Sequence, residues 1–182
     1  MIYITSDLHF GHDKEFLYGP RSFNSIEEHD RAIIKNWNEI VTPNDEVYIL
    51  GDLMLGDNES GMHKLSQLMG TINIVIGNHD TDKRLELYSK FGMNIAQIEY
   101  AYRLKYNKYS FFLTHYPTLT ANLGEDDKPL KRKTINICGH SHTKDKFADW
   151  NKGLIYHAEL DTTNMRPISI EEIIKDIEEK EK

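Results

Sequence analysis

Short apolar runs in this chain lead repeatedly into carboxylate, imidazole and amide side chains. Residues 2–5 lead into Asp7-Leu8-His9, 47–50 into Gly51-Asp52, and 72–76 into Gly77-Asn78-His79-Asp80. Residues 111–114 lead into His115, and 135–138 into Gly139-His140-Ser141-His142. These tails offer oxygen and nitrogen donors and no thiolate. That mixture suits hard or borderline divalent ions such as manganese, iron or zinc.

Chemistry of that kind needs its donors brought to one point. The runs are short and rich in Val, Ile, Phe and Tyr, which reads as buried strands. In an open α/β sheet, ligands bind beyond the carboxyl ends of such strands. Five strand ends are therefore expected to converge. Between them, 11–25 is a loop rich in turn-formers. Ser25-Ile26-Glu27-Glu28 then reads as a capped helix start, followed by Ile26, Ala32, Ile33, Trp37, Ile40 and Val41 at roughly helical spacing. Residues 57–61 read as a loop and Met62, Leu65, Leu68 and Met69 as the next helical stripe. Leu85, Leu87, Tyr88 and Phe91 suggest a short helix ended by Gly92. Runs near 94–98, 100–104 and 109–114 follow one another without helices, as in a β meander. A strand near 154–157 and an amphipathic helix from Ser169 to about Glu178 close the pattern. The charged end, 178–182, is expected to fray.

A chain of 182 residues can bury the core of one domain, and no repeat or boundary divides 1–182. The hydrophobic share of 39% and charged share of 28% fit a soluble globular protein. A formal net charge of −7 argues against broad binding to nucleic acid or anionic membranes. The single cysteine excludes an internal disulfide and agrees with a cytoplasmic setting. No segment is long and apolar enough to span a bilayer, and a core strand beginning at residue 2 leaves no room for a leader.

The order Asp-x-His, Gly-Asp, Gly-Asn-His-Asp, His, Gly-His-x-His resembles the calcineurin-like metallophosphoesterase superfamily. The start Asp-Leu-His-Phe-Gly-His is similar to its small bacterial and phage members, as are 23–41 and the ending Arg166-Pro167-Ile168-Ser169-Ile170-Glu171-Glu172-Ile173. The resemblance implies an α/β fold, a β-sandwich flanked by helices, with a dimetal site at the strand C-terminal ends. It implies two divalent metal ions, manganese first, with iron, zinc or nickel as alternatives. Asp7, His9 and His142 would hold one ion, Asn78, His115 and His140 the other, and Asp52 would bridge them. His79 would contact the phosphate or protonate the leaving oxygen, with Asp80 orienting its ring. The expected reaction is hydrolysis, by metal-bound hydroxide, of a phosphodiester or a nucleotide-like small molecule. A nuclease or phosphoprotein phosphatase is the alternative within the class, and a non-catalytic scaffold the alternative outside it. The expected partner is a small phosphate ester; nucleic acid is not favoured, and no membrane is expected.

Local roles compete with these readings. Asp and Asn favour turns and caps for reasons of their own. His12 and Arg21 are candidate substrate contacts, Arg21 as a phosphate clamp. His29 and His63 read as ordinary helix residues, His157 as a strand residue, Asp161 as a turn residue and Cys138 as a buried filler. The segment 116–133 reads as a long surface loop beside the site. Both its ends adjoin ligand-bearing strands, so its cations Lys128, Lys131, Arg132 and Lys133 are expected near the substrate entrance, as an attractor for polyanions or as a solvated face.

Overall fold

The computed structural model describes residues 1–90, 94–120, 128–147 and 154–182. Its first sheet contains β1 (Ile2–Thr5), β2 (Glu46–Leu50), β3 (Thr71–Val75), β4 (Ile95–Glu99) and β9 (Ile168–Ser169), in the order β4-β3-β2-β1-β9. Strands β1 to β4 are parallel, and β9 pairs antiparallel with β1. The second sheet contains β5 (Ala101–Tyr106), β6 (Tyr109–Thr114), β7 (Thr134–Cys138) and β8 (Ile155–His157), in that order. Here β5 and β6 form a hairpin, while β6, β7 and β8 are parallel.

Alternation along each strand sorts the core into two layers. Val47 and Ile49 of β2, with Ile72 and Ile74 of β3, face outward onto Ile33 and Trp37 of α2 (Ile26–Asn38), Met62 and Leu65 of α3 (Asn58–Leu65) and Tyr88 of α4 (Asp82–Lys90). Leu50, Ile4 and Val75 face the other way, onto Phe111, Leu113, Ile135 and Ile137 of the second sheet. The result is a sandwich with helices on one face. Helix α5 (Ile170–Lys180) closes the layer between the sheets with Ile170, Ile173 and Ile177, each fully buried. Fully burying one such side chain contributes about 1.5–3 kcal/mol. Ser169 caps α5 through a reciprocal box with Glu172. Among the described residues, no helix is long and apolar enough to cross a membrane.

Several local expectations need correction. The meander is a hairpin only: β4 leaves it to extend the first sheet beside β3. Residues 57–61 start α3, because the Asp57 carboxylate accepts the Ser60 N–H and caps it. Helix α5 persists to Lys180, through the first three residues of the charged end. Within 11–25 lies a further short helix, α1 (Glu15–Tyr18). Phe91 and Gly92 fall outside the described residues.

Candidate metal centre

The C-terminal ends of β1, β2, β3, β6 and β7 meet at one rim of the sandwich. Asp7, His9, Asp52 and His115 form a buried floor; Asn78, His140 and His142 form an exposed edge, with His79 half-buried beside them. His9 Nε2 lies 3.6 Å from Asp7 Oδ1 and 3.8 Å from Asp52 Oδ2. His142 Nε2 lies 3.6 Å from the same Asp7 oxygen and 3.1 Å from His9 Nε2. On the other side, His115 Nε2 is 3.6 Å from Asp52 Oδ2 and 2.9 Å from Asn78 Oδ1. The His140 ring centroid stands 5.0 Å from that of His115. Asp52 Oδ2 thus faces imidazoles from both sides, including His79 at 3.9 Å.

This donor set fits divalent cations. Asp7, His9 and His142 present ligand atoms within 4.8 Å of one another, as do Asp7, Asp52 and His115. Asp7 Oδ1 is buried with no hydrogen-bond partner. A carboxylate oxygen in that position is costly unless a cation faces it. Burial pushes the Asp7 carboxyl up, but the neighbouring imidazoles of His9 and His142 and the Ser6 hydroxyl outweigh it and bring it to about 2.

Holding these side chains together distorts the backbone. Asp7, His9, Asp52, His140 and His142 have φ of 59°, 49°, 56°, 75° and 46°, in the left-handed region. Such residues cost of order 1–3 kcal/mol each and persist where the surroundings over-determine them. The surroundings do so here. Asp7 Oδ2 accepts from Ser6 Oγ at 2.5 Å and from the His140 N–H at 2.9 Å. The His9 N–H donates to the Asp52 carbonyl, and the His79 N–H to Asp52 Oδ1. At Gly139 a Cβ would overlap Ser6 Oγ and Asp7 Oδ2, so only glycine lets β7 deliver His140 beside β1.

Residues behind the donors have other places than expected. Arg21 is no phosphate clamp. Its buried guanidinium donates to both Asp161 oxygens at 3.0 and 2.7 Å and to the Asp7 carbonyl at 3.0 Å, and meets His29 Nε2 at 2.9 Å. Asp161 is therefore more than a turn residue: its Oδ2 also lies 3.2 Å from His142 Nδ1. Burial raises the Asp161 carboxyl, but His142 and Arg21 outweigh it and hold it far below the carboxylate range. His29 is a buried link from Arg21 to Asp30, not an ordinary helix residue. Asp80 does not orient the His79 ring. Among the described residues its carboxylate accepts from the N–H groups of Asp52, Leu53 and Gly77 and from the Tyr88 hydroxyl. It fixes the backbone of two donor loops. His12 does reach the site, its ring 5.6 Å from His9 and 6.5 Å from His79. Cys138 is buried, and burial pushes its thiol up, as for a filler.

The segment 116–133 corrects a geometric expectation. Because β6 and β7 are parallel, a chain leaving β6 at His115 must return to the opposite end of the sheet before β7 begins. Thr118 N–H already bonds to Asn136, and Thr120 Oγ1 to the Thr134 carbonyl. Leu130 is buried in the inter-sheet core and its N–H bonds to Glu181 of the C-terminal end, so the cations around it lie at the far end of β7. Residues 121–127 lie outside the described residues.

A cavity of about 630 Å³ opens over the centre. Its lining includes His9, Asp52, Asn78, His79, His140 and His142, with His12 at one side.

The model of the calcineurin-like phosphoesterase superfamily domain matches residues 1–157. An uncharacterized protein of Methanocaldococcus jannaschii is 35% identical, over 97% of this chain and 91% of its own length. The gene 66 protein of Mycobacterium phage L5 is 29% identical over 78% of this chain and 77% of its own. A crystal structure of a protein of unknown function from Aquifex aeolicus shares the fold, with a TM-score of 0.70, 24% identity and coverage of 96% of this chain and 98% of that one. The chain belongs to the calcineurin-like phosphoesterase superfamily. It is a metallophosphoesterase, an enzyme of metal-dependent phosphoester hydrolysis.

Proposed function

We propose that the cavity hydrolyses a small-molecule phosphate ester, a phosphodiester or nucleotide-like compound, with two divalent ions at the centre. Asp7, His9 and His142 hold one ion, Asn78, His115 and His140 the other, and Asp52 stands between them. Such ions, when bound, neutralise phosphoryl oxygens and lower the pKa of water. Support comes from one observation above all: five of these seven residues adopt left-handed backbone in order to face one another. A fold has no structural reason to concentrate that cost at one rim.

The remaining steps fall to the side chains around the donors. A water that has released one proton to solvent forms a bond through its oxygen to phosphorus as the ester P–O bond opposite it breaks. His79, half-exposed and 3.9 Å from Asp52, donates a proton to the departing oxygen. Asp80 acts through the backbone, holding Asp52 and Gly77 in register. His12 borders the substrate. Purified protein should be assayed with manganese, iron, zinc and nickel against phosphomonoesters, linear and cyclic phosphodiesters, dinucleotides and short nucleic acids. Turnover of small esters supports this function. A preference for long nucleic acid would overturn the substrate class, and failure to bind any divalent ion would overturn the centre.

A further inference from the structure

The cavity lining is of two chemical kinds. One is the donor set. The other is apolar: Phe16 of α1, Pro20 beyond it and Leu55 after β2. Phe16 is 72% exposed, whereas its neighbour Leu17 is buried and anchors the helix. The Phe16 ring meets His12 at a centroid distance of 5.5 Å and an angle of 86°. His12 in turn stands 5.6 Å from His9, so Phe16 lies two rings from the centre. An open aromatic ring at that remove has no packing role to explain it. The cavity volume is that of a small-molecule site, in which apolar and aromatic groups supply contact and a few polar groups fix orientation. Among the described lining residues, Lys144 is the only Lys or Arg. That charge suits a single phosphate group and not a nucleic-acid backbone, which needs a basic track.

We propose that Phe16 is a specificity residue that stacks a planar aromatic group of the substrate, with Pro20 and Leu55 edging the same slot. The class that fits is a nucleoside phosphate, its phosphoryl group at the donors and its base on Phe16. This proposal rests on the phosphoesterase function above. The test uses adenosine 5′-monophosphate and ribose 5-phosphate as competitors of bis-p-nitrophenyl phosphate hydrolysis with manganese. The wild type should bind the nucleotide more tightly than the sugar phosphate. Phe16→Ala should shrink that preference roughly five- to hundredfold, the range expected for loss of one base–aromatic stack. Phe16→Tyr should keep the preference, and Phe16→Leu should lose most of it, which separates stacking from plain apolar burial. Because the side chain is exposed, these variants should fold, as thermal melts will check. Equal inhibition by both compounds, or a preference untouched in Phe16→Ala, overturns the slot while leaving the phosphoesterase function standing. If no ester is hydrolysed, that function falls, and calorimetric titration of both compounds into the manganese-loaded protein decides the slot separately.

Discussion

The two halves of the proposed centre are built differently. The Asp7, His9 and His142 half is braced from behind: Ser6 and the His140 N–H hold Asp7, and the Arg21–Asp161 clasp holds both the Asp7 carbonyl and His142. The Asn78, His115 and His140 half leans on less. His115 Nδ1 rests on the Leu50 carbonyl at 2.8 Å, while Asn78 and His140 stand exposed. Partners behind a ligand fix its tautomer and orientation, and losing one typically costs 10–100-fold in metal affinity. The comparison teaches that the braced half should be the tighter site and the open half the one nearer to exchange with solvent and substrate.

The largest effect should come from the residue both halves share. Asp52→Asn should abolish hydrolysis and reduce metal content from about two equivalents to one or fewer, because an amide lacks the charge to bridge two cations. Elemental analysis of the purified variant checks this. Full occupancy with normal turnover would remove Asp52 from the bridge and the comparison with it.

In the proposed assignment His79 is a ligand of neither half. His79→Ala should keep both ions yet slow hydrolysis by about 10²–10⁴-fold, the usual worth of a positioned acid. The loss should be smaller for an activated phenol ester, whose leaving group needs no proton. An equal loss for activated and unactivated esters would recast His79 as a phosphate contact.

Asp161→Asn addresses the asymmetry directly. It should weaken one ion about 10–100-fold and leave the other near its wild-type affinity, read by competition with a chelator. It also leaves the buried Arg21 guanidinium without its charged partner, so the melting temperature should fall; breaking such a pair costs about 3–5 kcal/mol. Equal weakening of both ions would mean that the clasp supports the whole rim and that the halves are not distinct.

Much of this centre was legible because strand ends carry information. The runs before Asp7, Asp52, Asn78, His115 and His140 mark both the strands and the side to which they point. The same rule extends to β8, whose parallel course brings Glu159 and Asp161 to that rim. Applied there, it would have marked Asp161 as more than a turn residue. Other features have no local signal. Whether Arg21 meets substrate or a buried carboxylate depends on a contact spanning 140 positions. The place of β4 depends on which sheet has an open edge. The role of Asp80 has no local signal either, because adjacency to His79 in sequence says nothing about side-chain direction, and the carboxylate turns to the Asp52 and Gly77 N–H groups.

The segment 116–133 gives the smallest expected effect and shows how direction overrides adjacency. Its position between His115 and His140 suggested a cationic lid. Parallel pairing of β6 and β7 instead places Lys128, Lys131 and Arg132 beside the start of β7, five residues from the rim. At a rise of about 3.3 Å per residue that is roughly 16 Å. Exposed charges are screened over about 8–10 Å near physiological salt. Neutralising Lys128, Lys131 and Arg132 together should therefore leave KM and kcat unchanged for the best ester found. Lys133 is left intact because it is buried. Lowering the salt lengthens the reach of these charges and makes the measurement more stringent. A raised KM that relaxes as salt is added back would show that the cations reach the entrance after all.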